Sequence, residues 1–268
     1  MTAISNSCSH IPLPNEKFQN FVNSLPDQLR TPFLCVSQIL FQSSPVLIAY
    51  SGGVDSSTLL AIAALTPGVK YLGIIADSPS LPRANLNRAL QFAYDIGACV
   101  EVILTNEISD PLYAKNPPNR CYYCKLELFK KMQEIAQKKN FQTLAYGENA
   151  DDSPSDRPGS KAAVELNVIA PLRQAGLHKA QIRLLANFLN LPVASLPAEP
   201  CLSSRILHGT PVTAEALALI EKSELFLRSL GFRIVRVRYN YKTNYPFALV
   251  QVSPQELPKL QEFTRLIE

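Results

Sequence analysis

The segment Pro45–Leu60, with the sequence PVLIAYSGGVDSSTLL, has the residue types needed to bind phosphate groups. An apolar run that is typical of a buried strand is followed by two glycines and then by residues that are typical of a helix. The glycines let the backbone approach an anion closely, and the helix directs its free N–H groups and positive dipole end toward that anion. Three hydroxyl groups add donors, and Asp55 can bind a metal ion or cap the helix. The predicted phosphate-binding residues are Ser51, Gly52, Gly53, Asp55, Ser56 and Ser57.

This segment lacks the lysine of the Walker loop, GxxxxGK[ST], so it does not predict that type of nucleotide site. The alternative is a turn between a strand and a helix that needs glycine only for packing. The combination of serines, an acid and two glycines exceeds what such a turn requires. The segment therefore predicts a loop that binds nucleotide phosphates without a neighbouring lysine in the sequence.

Three of the six cysteines have a spacing that suits metal binding. Cys121 and Cys124 form a CxxC pair, and Cys201 stands in the sequence PCLSSR. Three thiolates without a fourth protein ligand suit a [4Fe–4S] cluster with one open iron, which can hold sulfide. A zinc site that adds His208 and a set of plain thiols are equally compatible with this spacing, and a Cys121–Cys124 redox disulfide is a weaker alternative. The remaining cysteines are predicted to be ordinary thiols: Cys8, Cys35 and Cys99.

A second group of charged residues lies near the end of the chain. In the sequence VRVR, strand alternation places Arg236 and Arg238 on one face, where their guanidinium groups suit a phosphate. A solvated sheet edge is the alternative. Glu224 lies close to Glu221 on one face of a predicted helix, which indicates either an exposed face with salt bridges or a site acid.

The elements around these residues predict the fold class. Strands alternate with helices through residue 203, which indicates an α/β domain with a doubly wound, parallel five-stranded sheet whose last strand is Val168–Leu172. Ligands of such sheets bind at the carboxyl ends of the strands, so Asp77, Ser78 and Gly147 are expected beside the glycine loop. The later pattern of helix, two strands and helix predicts a small α+β domain. The predicted organisation is a flexible tail at 1–14, the main domain at 15–203 and the small domain at 204–268.

Composition restricts the class of protein further. The chain has 268 residues, of which 47% are apolar and 18% charged, as is typical of soluble globular proteins. The sequence contains neither an apolar run of about 18 residues nor a secretory signal, so a cytoplasmic protein without a membrane segment is expected. A net charge of +4 without a dense basic patch argues against a nucleic-acid partner.

Taken in order, the motifs resemble the LarE family of PP-loop ATP pyrophosphatases, the sulfur-transferring enzymes of nickel-pincer nucleotide biosynthesis. The matching segments are SGGVDSS, ADSPS, NRCYYCKLELF, GENADD with Arg157 shortly after it, PCLSSR and RVR. The resemblance implies that ATP and Mg²⁺ activate a carboxylate of a pyridinium biscarboxylate mononucleotide by adenylation. A sulfide donor then supplies the sulfur of a thiocarboxylate.

The resemblance also implies roles for individual residues. The three cysteines of the predicted metal site would hold a [4Fe–4S] cluster that delivers sulfide, whereas members with a single cysteine at the Cys201 position give up its own sulfur. Arg236 and Arg238 would bind the substrate phosphate, Arg157 would bind the nucleotide, and the predicted catalytic residues are Asp55, Cys201 and Glu224. A homo-oligomer is also implied.

Two departures from the family pattern leave the fine identity of the substrate open. The residues after RVR lack the histidines of many members, and the fourth strand ends in Gly-Glu-Asn instead of Gly-Thr-Asn.

Three alternative functions make different demands on the sequence. A tRNA thiolase needs a basic surface, an amide-forming synthetase needs no cysteines, and a non-catalytic nucleotide- or zinc-binding module would release no pyrophosphate.

Overall fold

The computed structural model of the chain describes residues 16–152, 158–240 and 247–263. The chain divides into two compact units. The first unit is Met1–Asp77, Arg83–Thr105 and Cys124–Glu199, and the second is Ser78–Pro82, Asn106–Tyr123 and Pro200–Glu268. The second unit thus includes two short segments from the middle of the chain besides the C-terminal segment. The sequence-based domain boundaries stay a prediction, and the tail at 1–14 lies outside the described residues.

The helices are short to medium in length, and within the described residues none is long and apolar enough to cross a membrane. Their bounds are α1 Glu16–Ser24, α2 Asp27–Gln42, α3 Val54–Leu65, α4 Arg83–Asp95, α5 Pro111–Ala114, α6 Arg120–Lys139, α7 Pro158–Glu165, α8 Pro171–Gln174, α9 Lys179–Phe188, α10 Ala214–Ser229 and α11 Leu257–Glu262. The sequence did not predict the short helices α5, α7 and α8.

The first unit is built on a parallel sheet of four strands. The strands are β1 Val46–Ala49, β2 Tyr71–Asp77, β3 Val100–Leu104 and β4 Thr143–Tyr146, in the order β3-β2-β1-β4. In the central strand, Ile48 pairs with Gly73 on one side and with Ala145 on the other. The first three residues of β1 are fully buried, as expected for a sheet with helices on both faces. The predicted α/β fold class is confirmed.

The fifth strand that the sequence predicts at Val168–Leu172 is present only as a single parallel bridge between Ala145 and Ile169. Pro171 explains why the strand does not extend. It occupies the first position of α8, where its fixed φ angle suits a helix and its missing N–H group costs no hydrogen bond.

Helix α3 follows directly from β1 and positions the glycine loop. Nine of its twelve residues are buried, so this helix is enclosed on all sides by the first unit. A loop between a central strand and an enclosed helix has little freedom to move. The ends of β1 and α3 therefore fix the positions of the polar groups between them.

The second unit contains an antiparallel pair, β5 Val235–Asn240 and β6 Phe247–Val252. Helix α10 packs on it through a cluster formed by Leu227, Phe232, Val235 and Val237. Thr213 caps this helix, since its hydroxyl accepts a hydrogen bond from the backbone N–H of Ala216. This helix and its strand pair form the predicted small α+β arrangement.

Candidate functional site

The glycine loop of the first unit has a conformation that its residue types require. Gly52 has a φ of +75°, and a Cβ there would lie 2.7 Å from the Cβ of Ala89, so only glycine fits. The Ser56 hydroxyl accepts a hydrogen bond from the backbone N–H of Ser51 at 3.2 Å and donates one to the carbonyl of Gly53 at 3.1 Å. The loop is therefore held in shape by its own hydroxyl groups. Ser57, also predicted for phosphate binding, is fully buried in α3.

Gly147 follows β4 and lies against the start of α3. A Cβ on Gly147 would lie 2.7 Å from the backbone nitrogen of Ser56 and 3.0 Å from the carbonyl carbon of Asp55. Both atoms belong to the backbone and cannot rotate away. The structure therefore brings Gly147 to the glycine loop, as the carboxyl-end rule predicted.

Asp55 has one occupied and one unoccupied carboxylate oxygen. Its Oδ2 accepts hydrogen bonds from Lys179 Nζ at 2.6 Å and from Asn149 Nδ2 at 3.4 Å. Its Oδ1 is buried and has no hydrogen-bond partner among the described residues. A buried carboxylate oxygen without a donor is suited to a hard cation, so the geometry fits the predicted Mg²⁺ ligand.

Lys179 is the residue that the sequence reasoning missed. It is the first residue of α9, and Asp151 fixes the helix there by accepting a hydrogen bond from the Lys179 backbone N–H at 2.7 Å. The pKa of Asp151 is lowered, mainly by its hydrogen bond with His178. A cation opposes the helix dipole in a first turn, and this mismatch is the sequence feature that would have singled out Lys179.

The other predicted nucleotide-binding residues lie in three places. Asp77 is at the end of β2 in the first unit, where it pairs with Arg83 at 2.5 Å. Ser78 belongs to the second unit, and its hydroxyl accepts a hydrogen bond from the backbone N–H of Ser80. Arg157 lies outside the described residues.

Next to Gly147, Glu148 is a buried carboxylate with three hydrogen-bond donors. Its partners are Tyr146 at 2.6 Å, Arg173 at 3.0 Å and the hydroxyl of Ser160. Burial raises the pKa of Glu148, but the hydrogen bonds from Ser160, Tyr146 and Arg173 outweigh it and the net pKa is lowered. Glu148 is therefore a fixed negative charge that stabilises the turn after β4.

In the second unit, Cys201 is held by an arginine. The Arg205 guanidinium donates hydrogen bonds to the carbonyl oxygens of Pro200 and of Cys201. The same group forms two charged hydrogen bonds with Glu224, at 2.9 and 3.1 Å, and Glu224 also accepts one from the backbone N–H of Val237. Glu224 is buried, which excludes the exposed helix face considered above. In the described structure it positions Arg205, and its role as a site acid stays a prediction.

Two further contacts fix the Cys201 segment. The hydroxyls of Ser80, Tyr113 and Ser203 form a buried triangle with distances of 2.9, 2.9 and 2.7 Å. The backbone N–H of Leu202 donates a hydrogen bond to the carbonyl of Ser80. Hydrogen bonds therefore fix the backbone of Leu202 and the side chain of Ser203, the two residues that follow Cys201.

Asn116 joins the segment after Cys201 to the start of α6. Its side-chain N–H groups donate to the carbonyls of Ile206, Leu207 and Thr210, and its side-chain oxygen accepts from Arg120. Asn116 has a φ of +55°, a conformation that asparagine tolerates better than most residues.

The predicted metal ligands lie in two short segments. Cys121 and Cys124 are in the first turns of α6, and Cys201 precedes a single helical turn formed by Leu202–Arg205. Burial raises the pKa of the Cys201 thiol, and the positive charges of Arg120 and Arg205 offset only part of that rise. Within the described ranges, no group of three or more Cys, His, Asp or Glu side chains is close enough to hold a metal ion. The cluster, and the alternative zinc site with His208, stay predictions.

The arginines predicted to bind a substrate phosphate have the expected alternation. In β5, Val235 and Val237 are buried, whereas Arg236 and Arg238 are partly exposed on the opposite face. Arg238 Nε donates a hydrogen bond to Gln251 on β6 at 2.7 Å. The structure brings the two guanidinium groups to one face of the strand pair, as alternation predicted.

Comparison with known proteins shows relatives along most of the chain, although no family model matches it. An uncharacterized protein of Synechocystis sp. is 37% identical over 222 residues, which are 83% of this chain and 81% of that protein. An uncharacterized protein of Methanocaldococcus jannaschii is 34% identical over 202 residues, 75% of this chain and 76% of that protein. The pyridinium-3,5-bisthiocarboxylic acid mononucleotide synthase of Lactiplantibacillus plantarum is 31% identical over 196 residues, 73% of this chain and 71% of the synthase. With this identity to the synthase over more than two thirds of both chains, the protein belongs to the LarE family.

Proposed function

We propose that this protein is an ATP-dependent enzyme that replaces a carboxylate oxygen of a pyridinium biscarboxylate mononucleotide by sulfur. The observation that carries the proposal is the similarity to the bisthiocarboxylic acid mononucleotide synthase. The glycine loop of the first unit supports it, because its donors and its acidic residue suit the phosphates and the metal ion of ATP.

The first step is the activation of the carboxylate. A carboxylate oxygen of the substrate attacks the α-phosphorus of ATP, pyrophosphate leaves, and an acyl adenylate forms. The backbone N–H groups of the loop and the Ser51 hydroxyl bind the phosphates, with Gly52 allowing the close approach. Mg²⁺, when bound to Asp55, neutralises negative charge on the phosphates.

Lys179 supplies the positive charge that the loop sequence lacks. Its ammonium group lies 2.6 Å from Asp55 Oδ2, beside the predicted phosphate site. We assign it to charge neutralisation on the departing pyrophosphate. Asp55 Oδ2 thus positions the Lys179 ammonium group at the loop, and Oδ1 is available to bind Mg²⁺.

The second step exchanges oxygen for sulfur. A sulfur nucleophile attacks the acyl carbon, AMP leaves with one former carboxylate oxygen, and the thiocarboxylate is released. The proposed donor is sulfide carried by a [4Fe–4S] cluster, and Cys121, Cys124 and Cys201 would hold it because thiolates are the ligands such clusters require. The competing route uses the sulfur of Cys201 itself.

The second unit contains the groups proposed to bind and orient the rest of the substrate. Arg236 and Arg238 present two guanidinium groups on one face of β5, and such groups bind phosphate well. We further propose that the protein works as a homo-oligomer with an external sulfide donor.

The test of the sulfur route is the metal content of the protein, purified without oxygen, together with its mass before and after one turnover. The proposal predicts a brown protein with about four irons per chain and an unchanged protein mass. A colourless, iron-free protein that transfers sulfur and loses the mass of one sulfur atom would establish sacrifice of Cys201 instead. Cys201→Ala should abolish sulfur transfer, whereas Cys99→Ala, which removes an exposed thiol elsewhere, should not. Full product formation by Cys201→Ala would favour an amide-forming synthetase.

A further inference from the structure

Arg120 is a buried cation, and no acidic side chain among the described residues pairs with it. Its side chain is 7% exposed. Its terminal nitrogen donates a hydrogen bond to the amide oxygen of Asn116, which is neutral, and its Nε is buried with no hydrogen-bond partner among the described residues.

The contrast with Arg205 shows why this is unusual. Arg205 is buried to a similar degree, but both carboxylate oxygens of Glu224 accept hydrogen bonds from it and balance its charge. A buried guanidinium is costly to leave unpaired, because the charge has lost its water and gained no counter-ion. Arg120 is therefore as buried as an arginine in a structural ion pair, but no carboxylate among the described residues balances its charge.

The start of helix α6 adds positive potential at Arg120. Arg120 is the first residue of the 20-residue helix α6, and the first turn of α6 contains no acidic residue. The positive end of the helix dipole is therefore not offset by side chains of its own first turn. Asn116, which accepts the hydrogen bond from Arg120, also donates one to the carbonyl of Ile206 in the segment that follows Cys201, within the same unit.

From these contacts we propose that Arg120 and the start of α6 form a binding site for a small monovalent anion beside Cys201. The free Nε–H donates to the anion, and Asn116 holds the guanidinium in place. The site has one guanidinium, so it suits a single-charge ion better than a phosphate. If the proposed function holds, the anion is hydrosulfide, the form in which inorganic sulfide carries one negative charge.

The site can be tested by the charge selectivity of alkylation at Cys201. The full-length, metal-free protein is treated with iodoacetate or with iodoacetamide, and modification of the Cys201 peptide is followed by mass spectrometry. Both reagents react with the same thiolate, so the ratio of their rates reports the local charge and not the protonation of the thiol. Arg120→Gln should lower the ratio of the iodoacetate rate to the iodoacetamide rate roughly tenfold. Arg120→Lys, which retains the positive charge, should leave this ratio close to that of the unmodified protein. Arg233→Gln, at an exposed position of the same unit, is the matched control.

A competition experiment on the unmodified protein needs no variant. At constant ionic strength, thiocyanate should protect Cys201 from iodoacetate with a saturating concentration dependence. An alkylation ratio that is the same in Arg120→Gln and in the unmodified protein, or protection by thiocyanate that never saturates, would overturn the proposal.

The outcome is independent of the sulfur-transfer reaction, because alkylation requires neither ATP nor the mononucleotide. In the full reaction, Arg120→Gln should raise the half-saturating concentration of hydrosulfide roughly tenfold and leave that of ATP unchanged. Charge-selective alkylation in a protein without sulfur transfer would refute the proposed function alone. Sulfur transfer with unchanged hydrosulfide dependence in Arg120→Gln would refute the anion site alone.

Discussion

Replacing Gly147 by alanine should slow the ATP-dependent step far more than it destabilises the protein. The new Cβ would lie 2.7 Å from the backbone nitrogen of Ser56, whereas ordinary contacts begin at 3.4 Å. The start of α3 must therefore move away by roughly 0.7 Å. Since α3 is enclosed on all sides, the movement shifts Asp55 and the loop hydroxyls relative to the phosphates.

The size of the effect follows from that displacement. A shift of about 1 Å in groups that position a reacting substrate can cost a factor of about 100 in rate. We therefore expect the rate of pyrophosphate release by Gly147→Ala to fall roughly ten- to hundredfold. Overpacking of this kind lowers the free energy of unfolding by about 1–3 kcal/mol. Thermal unfolding should shift by only a few degrees for each kcal/mol in a protein of this size.

Gly97→Ala is the matched control. Gly97 has a φ of +64°, so alanine there is strained by about 1–2 kcal/mol, but no atom lies within 4 Å of the new Cβ. The two variants should lose similar stability, and only Gly147→Ala should lose activity. Pyrophosphate release is measured with a coupled phosphate assay at saturating ATP. Unchanged activity in Gly147→Ala would refute the prediction. An equal loss of activity in Gly97→Ala would show that the close contact between Gly147 and the glycine loop does not cause the loss.

Three further predictions concern charged groups. Lys179→Ala should reduce pyrophosphate release roughly 100-fold and Lys179→Arg should recover part of it; equal rates in the two variants would show that the cation has no role. Glu224→Gln leaves the buried Arg205 charge uncompensated and should lower the free energy of unfolding in urea by about 3–5 kcal/mol, and a loss below about 1 kcal/mol would contradict this. The lowered pKa of Glu148 means that its charged form stabilises the fold above about pH 4.5 and that this stability is lost as the pH falls through the folded-state pKa. Glu148→Gln should therefore flatten the dependence of the urea midpoint on pH below pH 4.5, whereas an unchanged slope would contradict the charged network.

The parts of the fold that are determined by residues adjacent in the sequence were predictable from it. The strand β1, the glycines after it and the helix α3 are contiguous in the sequence, so their periodicity and residue types define them together. The alternation in β5 likewise placed Arg236 and Arg238 on one face. The prediction of a fifth strand was wrong because Pro171 begins a helix. The preference of proline for the first turn of a helix outweighed the strand propensity of the apolar run.

The parts of the site that depend on distant residues were not predictable in this way. Lys179 and Asp55 are separated by 124 positions, and no local pattern links them. The same holds for Arg120, whose importance lies in its burial beside a neutral partner. For Glu224, helical spacing suggested an exposed face, and only the packing of Arg205 against it revealed a buried ion pair.

In the proposed reaction, a substrate carboxylate is adenylated before sulfur replaces one of its oxygens. The most direct measurement uses the pyridinium biscarboxylate mononucleotide with ¹⁸O in its carboxylates and follows the label by mass spectrometry after one turnover. Adenylation predicts one ¹⁸O atom in AMP and a product in which one oxygen has been replaced by one sulfur. AMP without label, or label in pyrophosphate, would contradict the account.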